Sequence, residues 1–227
     1  MKQVQNLDDL YYKLVRQEIE SLIPATATRI LDVGSGVGGT SRWLKSRFPG
    51  ASTIALEGNS NLLSELRQNV DEAHIVDLNG PLPDVGAPDL ALFLDVLEHL
   101  PRPECVLAQL TAKMPAHGVV IVSVPNVAHL SVSVPLFFRG AFEYDDAGIL
   151  DRTHVRFFTR TSAVKLLNSA GFAVTKGLRE GFNGPRSHIL DRLTFGAWRD
   201  RITKRYVMAG TRLSPNLVQG PIEWRTI

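Results

Sequence analysis

Two groups of residues in this 227-residue chain have the types and the spacing for chemistry. The first is Asp32-Val33-Gly34-Ser35-Gly36-Val37-Gly38-Gly39, four glycines in six residues behind a carboxylate. Glycine carries no Cβ, so such a turn lets backbone N–H groups close on a bound ligand. A helix starting at Thr40 would aim the partly positive end of its dipole at the same spot. Glu57, 18 residues beyond Gly39, offers an acceptor-only side chain at the tip of the next strand, suited to two ribose hydroxyls. The second group is Asp151-Arg152-Thr153-His154, with His129 and His99 as further candidates. Imidazole is the side chain whose ordinary pKa lets it take a hydroxyl proton near neutrality. Together they suggest a nucleotide-type cofactor held at one end of a sheet and a proton accepted beside it.

The glycine spacing alone fits two cofactors. Gly34, Gly36 and Gly39 satisfy G-x-G-x-x-G, the dinucleotide pattern, while Asp32 with Gly34, Gly36 and Gly38 satisfies D-x-G-x-G-x-G. Asp32 separates them. A carboxylate at the strand tip repels a pyrophosphate but attracts the ammonium and sulfonium groups of S-adenosylmethionine. S-Adenosylmethionine is therefore the expected cofactor, with a nicotinamide dinucleotide as the remote alternative.

The elements that must position these residues read as alternating strands and helices. Leu7–Leu22 has apolar residues at helical spacing and ends before Pro24. Strands are expected at Arg29–Val33, Ser52–Leu56, Ala73–Val76, Asp89–Leu94, Gly118–Val124, Phe172–Leu178 and Lys204–Thr211. Helices are expected at Thr40–Phe48, from Asn59 to Val70, Pro103–Met114, from Thr159 or Thr161 to Ala170, and Ser187–Arg199. Pro125–Arg160 lacks either period and mixes aromatics with acids, histidines and arginines, the composition of a substrate lid. The organisation is then an N-terminal helix in 1–24, one domain over 25–212 with 126–160 as lid, and a tail over 213–227.

Composition narrows the class. Hydrophobic residues at 44% and charged residues at 21% suit a soluble globular chain with a sizeable core. The single cysteine, Cys105, excludes an internal disulfide and a cysteine metal cluster. Asp145, Asp146 and Asp151 are thin support for an acid-built metal site, and no metal is expected. The N-terminus has no signal-type apolar core, so a cytoplasmic location is the default expectation. Residues 176–227 carry a net charge of +6 against −4 for the rest, read as a solvated basic face.

On ILDVGSGVGGT (30–40), Glu57, Asp77, DLALFLDVLEHL (89–100) and GVVIVSVPN (118–126), the chain resembles the class I S-adenosylmethionine-dependent methyltransferases over roughly residues 25–212. PNVAH (125–129) and GILDRTHVRFFT (148–159) make it similar to a broad group of bacterial small-molecule methyltransferases. The resemblance implies an α/β fold with a doubly wound, Rossmann-like, seven-stranded sheet, mostly parallel with an antiparallel last strand. It also implies that Asp32, Gly34, Gly36 and Gly38 line the methionine and ribose, and that Glu57 holds the ribose. Asp77 and Leu78 would meet the adenine and Asp95 the methionine part, with Ser35, Gly58, Val96 and His99 completing the cofactor set.

This cofactor carries its own activated methyl group, so the protein has chiefly to align an acceptor and, for an alcohol, remove a proton. His154, oriented by Asp151, is the first candidate base, with His129 and His99 behind it; Asp151, Arg152 and His154 serve equally well to pin the loop. No Asn/Asp-Pro-Pro-aromatic signature follows the fourth strand, so no nucleic-acid partner is expected. The expected acceptor is a small molecule methylated on oxygen, a sugar or secondary-metabolite hydroxyl. A lipid-like or quinone-type acceptor at a membrane surface, met by Pro135-Leu136-Phe137-Phe138, is the second reading, and a non-catalytic cofactor-binding regulator the third. The oligomeric state is left open, a homodimer included.

Overall fold

Runs of Val, Ile and Leu broken by glycine and proline become the strands of one sheet in the computed structural model, which describes residues 12–181, 189, 192–194, 196–213 and 219–227. In chain order the elements are β1 (Arg29–Val33), α1 (Gly39–Arg47), β2 (Ser52–Glu57), α2 (Leu63–Asn69), β3 (Glu72–Ile75), β4 (Leu90–Leu94) and α3 (Pro103–Lys113). There follow β5 (Val119–Pro125), α4 (Leu130–Arg139), α5 (Arg160–Ser169), β6 (Phe172–Glu180), α6 (Arg199–Ile202), β7 (Arg205–Arg212) and β8 (Glu223–Thr226). Short 3-10 turns precede β1 at Gln17–Leu22 and follow β4 at Leu97–His99.

The strand order is β3-β2-β1-β4-β5-β7-β6-β8. β1 to β5 run parallel, and β7 lies antiparallel between β5 and β6. β1, β4 and β5 are apolar almost throughout because helices cover both faces. Leu31, Val33, Leu56 and Phe93 pack to one side and Ile30, Leu44, Leu90 and Ile121 to the other. The order reverses between β1 and β4, and the crevice outside their carboxyl ends is where open α/β sheets bind ligands. Asp32 lies on β1 and Asp95 follows β4, so both acids face that crevice from its two sides.

Four expectations are corrected. The sheet has eight strands, and its last strand in sequence is parallel to its neighbour β6; the antiparallel strand is β7. The eighth strand comes from the segment expected to be a tail. Trp224 holds it down by lying on Gly177, where a Cβ would come within 2.3 Å of the indole, and by meeting Tyr206 edge-on at 5.4 Å. The stretch 126–160 contains a helix, α4, despite Pro135 inside it. Proline reads as a breaker, but here the helix is ten residues long, capped by His129 and closed by Gly140 at φ +64. The helix expected over Leu7–Leu22 is interrupted within the described residues: Tyr12 is helical, residues 14–16 are not, and Gln17–Leu22 form a 3-10 stretch.

Leu7, Leu10 and Tyr11 lie outside the described residues, as does much of the helix expected over Ser187–Arg199. No described helix is long and apolar enough to cross a membrane.

Candidate active site

The glycine turn is built by what its missing Cβ atoms allow. Gly34 has φ +68, and a Cβ there would lie 2.5 Å from Val96, so Val96 can close on the turn from the β4 side. Gly36 has φ +57, and a Cβ would lie 2.6 Å from the carbonyl oxygen of Tyr12. That carbonyl accepts a hydrogen bond from Val37 N–H at 3.1 Å, which seats residues 12–16 on the turn. The Glu57 carboxylate braces the turn from the β2 side. One oxygen accepts from Gly36 N–H at 2.8 Å; the other accepts from Gly58 and Asn59 N–H, both at 2.9 Å. Each oxygen keeps lone-pair capacity for a further donor.

Asp32 is 3% exposed and accepts from the Ser41 hydroxyl at 2.6 Å. Burial pushes its carboxyl up to about 6, opposed by the Ser41 bond and helped by the nearby Glu57 charge. Across the crevice, Asp95 sits at φ +58, a left-handed backbone that costs a non-glycine residue about 1–2 kcal/mol. Its carboxylate accepts from Arg16 at 2.6 Å and from the Ser123 hydroxyl at 2.7 Å, with Arg205 at 3.2 Å. Burial alone would raise Asp95, but Arg205, Arg16 and Ser123 outweigh it and hold the carboxyl below the usual range.

Asp32, Gly34, Ser35, Gly36, Asp95, Tyr12 and Arg16 line a cleft of about 60 Å³. The Ser35 hydroxyl is buried without a hydrogen-bond partner, as is Nη2 of Arg16, which lies 3.7 Å from a carboxylate oxygen of Glu180. Donors aimed beside carboxylates match a zwitterion, such as the amino-acid end of S-adenosylmethionine. A second groove, about 370 Å³, is lined by Gly58, Ile75, Val76, Asp77, Leu78 and Leu100. Its apolar walls suit an aromatic base, and Asp77, held low by the amide and side chain of Asn79, offers an acceptor at its edge. Gly38, at φ +79, begins α1 from beneath the turn, where Leu66 and Asn69 leave no room for a Cβ.

A third arrangement lies just past β4. Glu98 and His99 end the 3-10 turn that follows Asp95, and His154 reaches them from the lid. The backbone carbonyl of Glu98 accepts from Val155 and Arg156 N–H at 2.9 and 3.0 Å, and Arg156 donates to the carbonyl of Pro101. The His99 and His154 rings meet edge-on at 4.8 Å. Glu98 is 1% exposed, and neither of its carboxylate oxygens has a hydrogen-bond partner. Burial, and then the Asp95 charge, push that carboxyl well above its usual range. Burial, and then His154, lower His99.

The expected pairing of Asp151 with His154 is corrected. Nδ1 of His154 lies 3.0 Å from the carbonyl oxygen of Ile149, and the Asp151 carboxylate accepts instead from the amide and hydroxyl of Thr153. Those bonds outweigh burial and keep Asp151 below its usual range. Asp151 shapes the loop that carries His154. His129 is the N-cap of α4, its Nδ1 accepting from Ser131 N–H at 3.1 Å; burial, and then Lys204, lower it.

Arg16, Ser123 and Arg205 are functional candidates that sequence reasoning missed, and Glu98, within the DLALFLDVLEHL stretch, was given no role. Arg16 falls on the polar side of the helix expected there, and nothing in its neighbours marks it. Glu98 had a signal: a carboxylate inside the apolar run Val96-Leu97-Glu98-His99-Leu100 is either paired or used.

Comparison with known proteins identifies a family and a fold. A methyltransferase domain family matches residues 8–176. Trans-aconitate 2-methyltransferase of Variovorax paradoxus is 27% identical over 113 residues, 48% of this chain and 44% of that protein. The same-named protein of Delftia acidovorans is 27% identical over 114 residues, 48% of this chain and 42% of its own length. The match thus spans less than half of these curated relatives. Among solved structures, an S-adenosylmethionine-dependent methyltransferase from Archaeoglobus fulgidus superposes with a TM-score of 0.62 at 16% identity, covering 90% of this chain and 94% of that one. A possible histamine N-methyltransferase from Thermotoga maritima gives 0.60 at 17% identity, covering 93% and 94%. At such identities the likeness is one of fold.

Proposed function

The chain belongs to the methyltransferase domain family, an enzyme family whose fold neighbours depend on S-adenosylmethionine, and we propose that it methylates a hydroxyl of a small acceptor, a sugar or secondary metabolite. Bound S-adenosylmethionine supplies a methyl group already activated on a sulfonium sulfur. In this reading Asp32, Ser35 and Arg16 hold its amino-acid end, and Asp95 keeps Arg16 in place. Glu57 and Gly58 take the ribose, Asp77 and Leu78 the adenine. Gly34, Gly36, Gly38 and Val96 shape the floor, and His99 stands where the cofactor cleft meets the acceptor side.

One observation carries the choice of acceptor. The wall formed by Glu98, His99 and His154 presents hydrogen-bond acceptors, including two carboxylate oxygens with no donor of their own. Such a wall favours a hydroxyl, which donates, over the carboxylate acceptor that the relatives' name denotes. His154, 8% exposed with its ring fixed through Nδ1, is the group on that wall best placed to receive the hydroxyl proton. Asp151 acts by shaping its loop, and His129 is the second candidate.

The test is S-adenosylhomocysteine production with a panel of hydroxyl, amine and carboxylate acceptors, run beside calorimetric titration of the cofactor. Turnover should require a hydroxyl acceptor. His154→Ala should cut it by roughly 10²–10⁴ while leaving cofactor affinity within about threefold. Cofactor binding with no turnover on any acceptor would favour the regulatory reading. Tight nicotinamide dinucleotide binding without S-adenosylmethionine binding would overturn both.

A lipid-like or quinone-type acceptor is the second reading, favoured by Phe137 and Phe138 at the end of α4, 82% and 75% exposed. Flotation of the protein with anionic liposomes would support it, and loss of flotation in Phe137→Ser/Phe138→Ser would assign the surface.

A further inference from the structure

We infer that Glu98, His99 and His154 form a binding site for a divalent transition-metal ion, which takes the acceptor hydroxyl as a further ligand. Each of the three side chains offers one ligand atom, and these atoms all lie within 4.8 Å of one another. Nδ1 of His99 faces the carbonyl oxygen of Thr153 at 3.3 Å, and Nδ1 of His154 faces that of Ile149 at 3.0 Å. A carbonyl oxygen only accepts, so both Nδ1 atoms carry hydrogen and both Nε2 atoms present lone pairs. Metal-binding imidazoles are held in this manner, one nitrogen donating to a backbone carbonyl while the other faces the ion.

Glu98 supplies the independent observation. A carboxyl group 1% exposed with two orphaned oxygens is costly to bury in charged form, and proteins resolve that cost by neutralising it, pairing it or setting it on a cation; the two imidazoles beside it favour the cation here. The neighbouring guanidinium groups of Arg16 and Arg205 are directed at Asp95, three residues away. Two imidazole nitrogens and one carboxylate, with no donor among them, fit a cation. The backbone bonds from Val155 and Arg156 to Glu98 fix the two halves of the set to each other, and His99, only half-buried, opens it to solvent.

The donor set names the class of ion. Imidazole suits zinc and its transition-metal neighbours, whereas magnesium and calcium prefer oxygen ligands. Three protein ligands leave a coordination position open, as in zinc sites that do chemistry. A hydroxyl bound there loses its proton to water more readily. Its oxygen then forms the bond to the methyl carbon as the carbon–sulfur bond breaks, and that electron pair stays on sulfur to give the neutral thioether. His154 is in this case a ligand rather than the base. The expectation of no metal rested on cysteines and on Asp145, Asp146 and Asp151; these three ligands meet only in the fold.

The metal site itself stands without the methyltransferase reading; the role given to its open position rests on it. The full chain is stripped with chelator and titrated with Co²⁺, followed by its visible absorption, and with Zn²⁺ by calorimetry. One ion per chain is expected at micromolar affinity or better, with Mg²⁺ unable to compete. Glu98→Gln and His154→Ala should each weaken uptake about 100-fold, with S-adenosylmethionine affinity unchanged. Should either variant fail to fold by circular dichroism, His99→Ala at the half-exposed position should weaken metal uptake by a similar factor, read by the metal titrations alone. Absence of saturable one-to-one uptake, or uptake that survives these substitutions, overturns the site. Methyl transfer that persists in chelator without uptake removes the metal and leaves the methyltransferase reading standing. Metal uptake with no cofactor binding does the reverse.

Discussion

At neutral pH Asp32 is ionised in a place that resists ionisation. Its carboxyl is 3% exposed, receives the Ser41 hydroxyl at 2.6 Å and titrates at about 6 against an ordinary 3.8. The folded protein therefore binds that proton more tightly than the unfolded chain. The associated stability is fully present below about pH 4 and is lost as pH rises through 6. At about 1.4 kcal/mol per pKa unit, the loss by pH 7 is about 3 kcal/mol. Asp32→Asn removes the charge and keeps an oxygen for Ser41. At pH 8 the variant should be more stable than the wild type by up to about 3 kcal/mol, a rise in Tm of roughly 6–12 °C for a chain of this size. The gap should close as pH falls toward 4. The same change should weaken S-adenosylmethionine binding at least about tenfold, because the carboxylate that opposes folding is the one that attracts the cofactor's positive charge. Thermal melts between pH 4 and 8, with and without S-adenosylhomocysteine, measure both effects. A gap that does not change with pH, or a variant less stable at pH 8, would refute the reasoning.

Two further outcomes are expected beside the His154 and metal tests already given. Glu57→Gln turns one end of a three-way acceptor into a donor facing backbone N–H, so cofactor Kd should rise about 10–100-fold, one orphaned hydrogen bond, with kcat at saturation within about threefold; unchanged affinity in calorimetry would remove Glu57 from the site. Trp224→Ala should lower unfolding stability by about 2 kcal/mol in urea titrations while leaving cofactor affinity intact, since β8 lies at the sheet edge far from β1 and β4; an unchanged midpoint would mean that the eighth strand adds nothing to the fold.

The central strands were legible because their signal is local. β1 spans Arg29–Val33 as expected, and Asp32 on β1, Glu57 ending β2 and Asp95 just past β4 all fall at the carboxyl ends of their strands, where the apolar runs end. Thr159 was readable as a cap, and it forms a reciprocal pair with Ser162. Where the reading failed, the deciding contact lay elsewhere in the chain. Arg16 depends on Asp95, 79 residues away, and the 12–16 segment on a glycine whose missing Cβ admits it. β8 is four residues long, too short for periodicity to show, and is held by an indole over Gly177.

By itself, then, the sequence determined the parallel sheet, the glycine turn with its carboxylate, and the row of acids that a cationic cofactor requires, since each follows from neighbours within a few residues. Tertiary structure alone decided which polar groups share a space. Glu98 and His99 stand 55 residues or more from His154, and only the docking of the lid on the turn after β4 brings three acceptors together with no donor. Local propensity carries no information about such a meeting; burial of unpaired charge does.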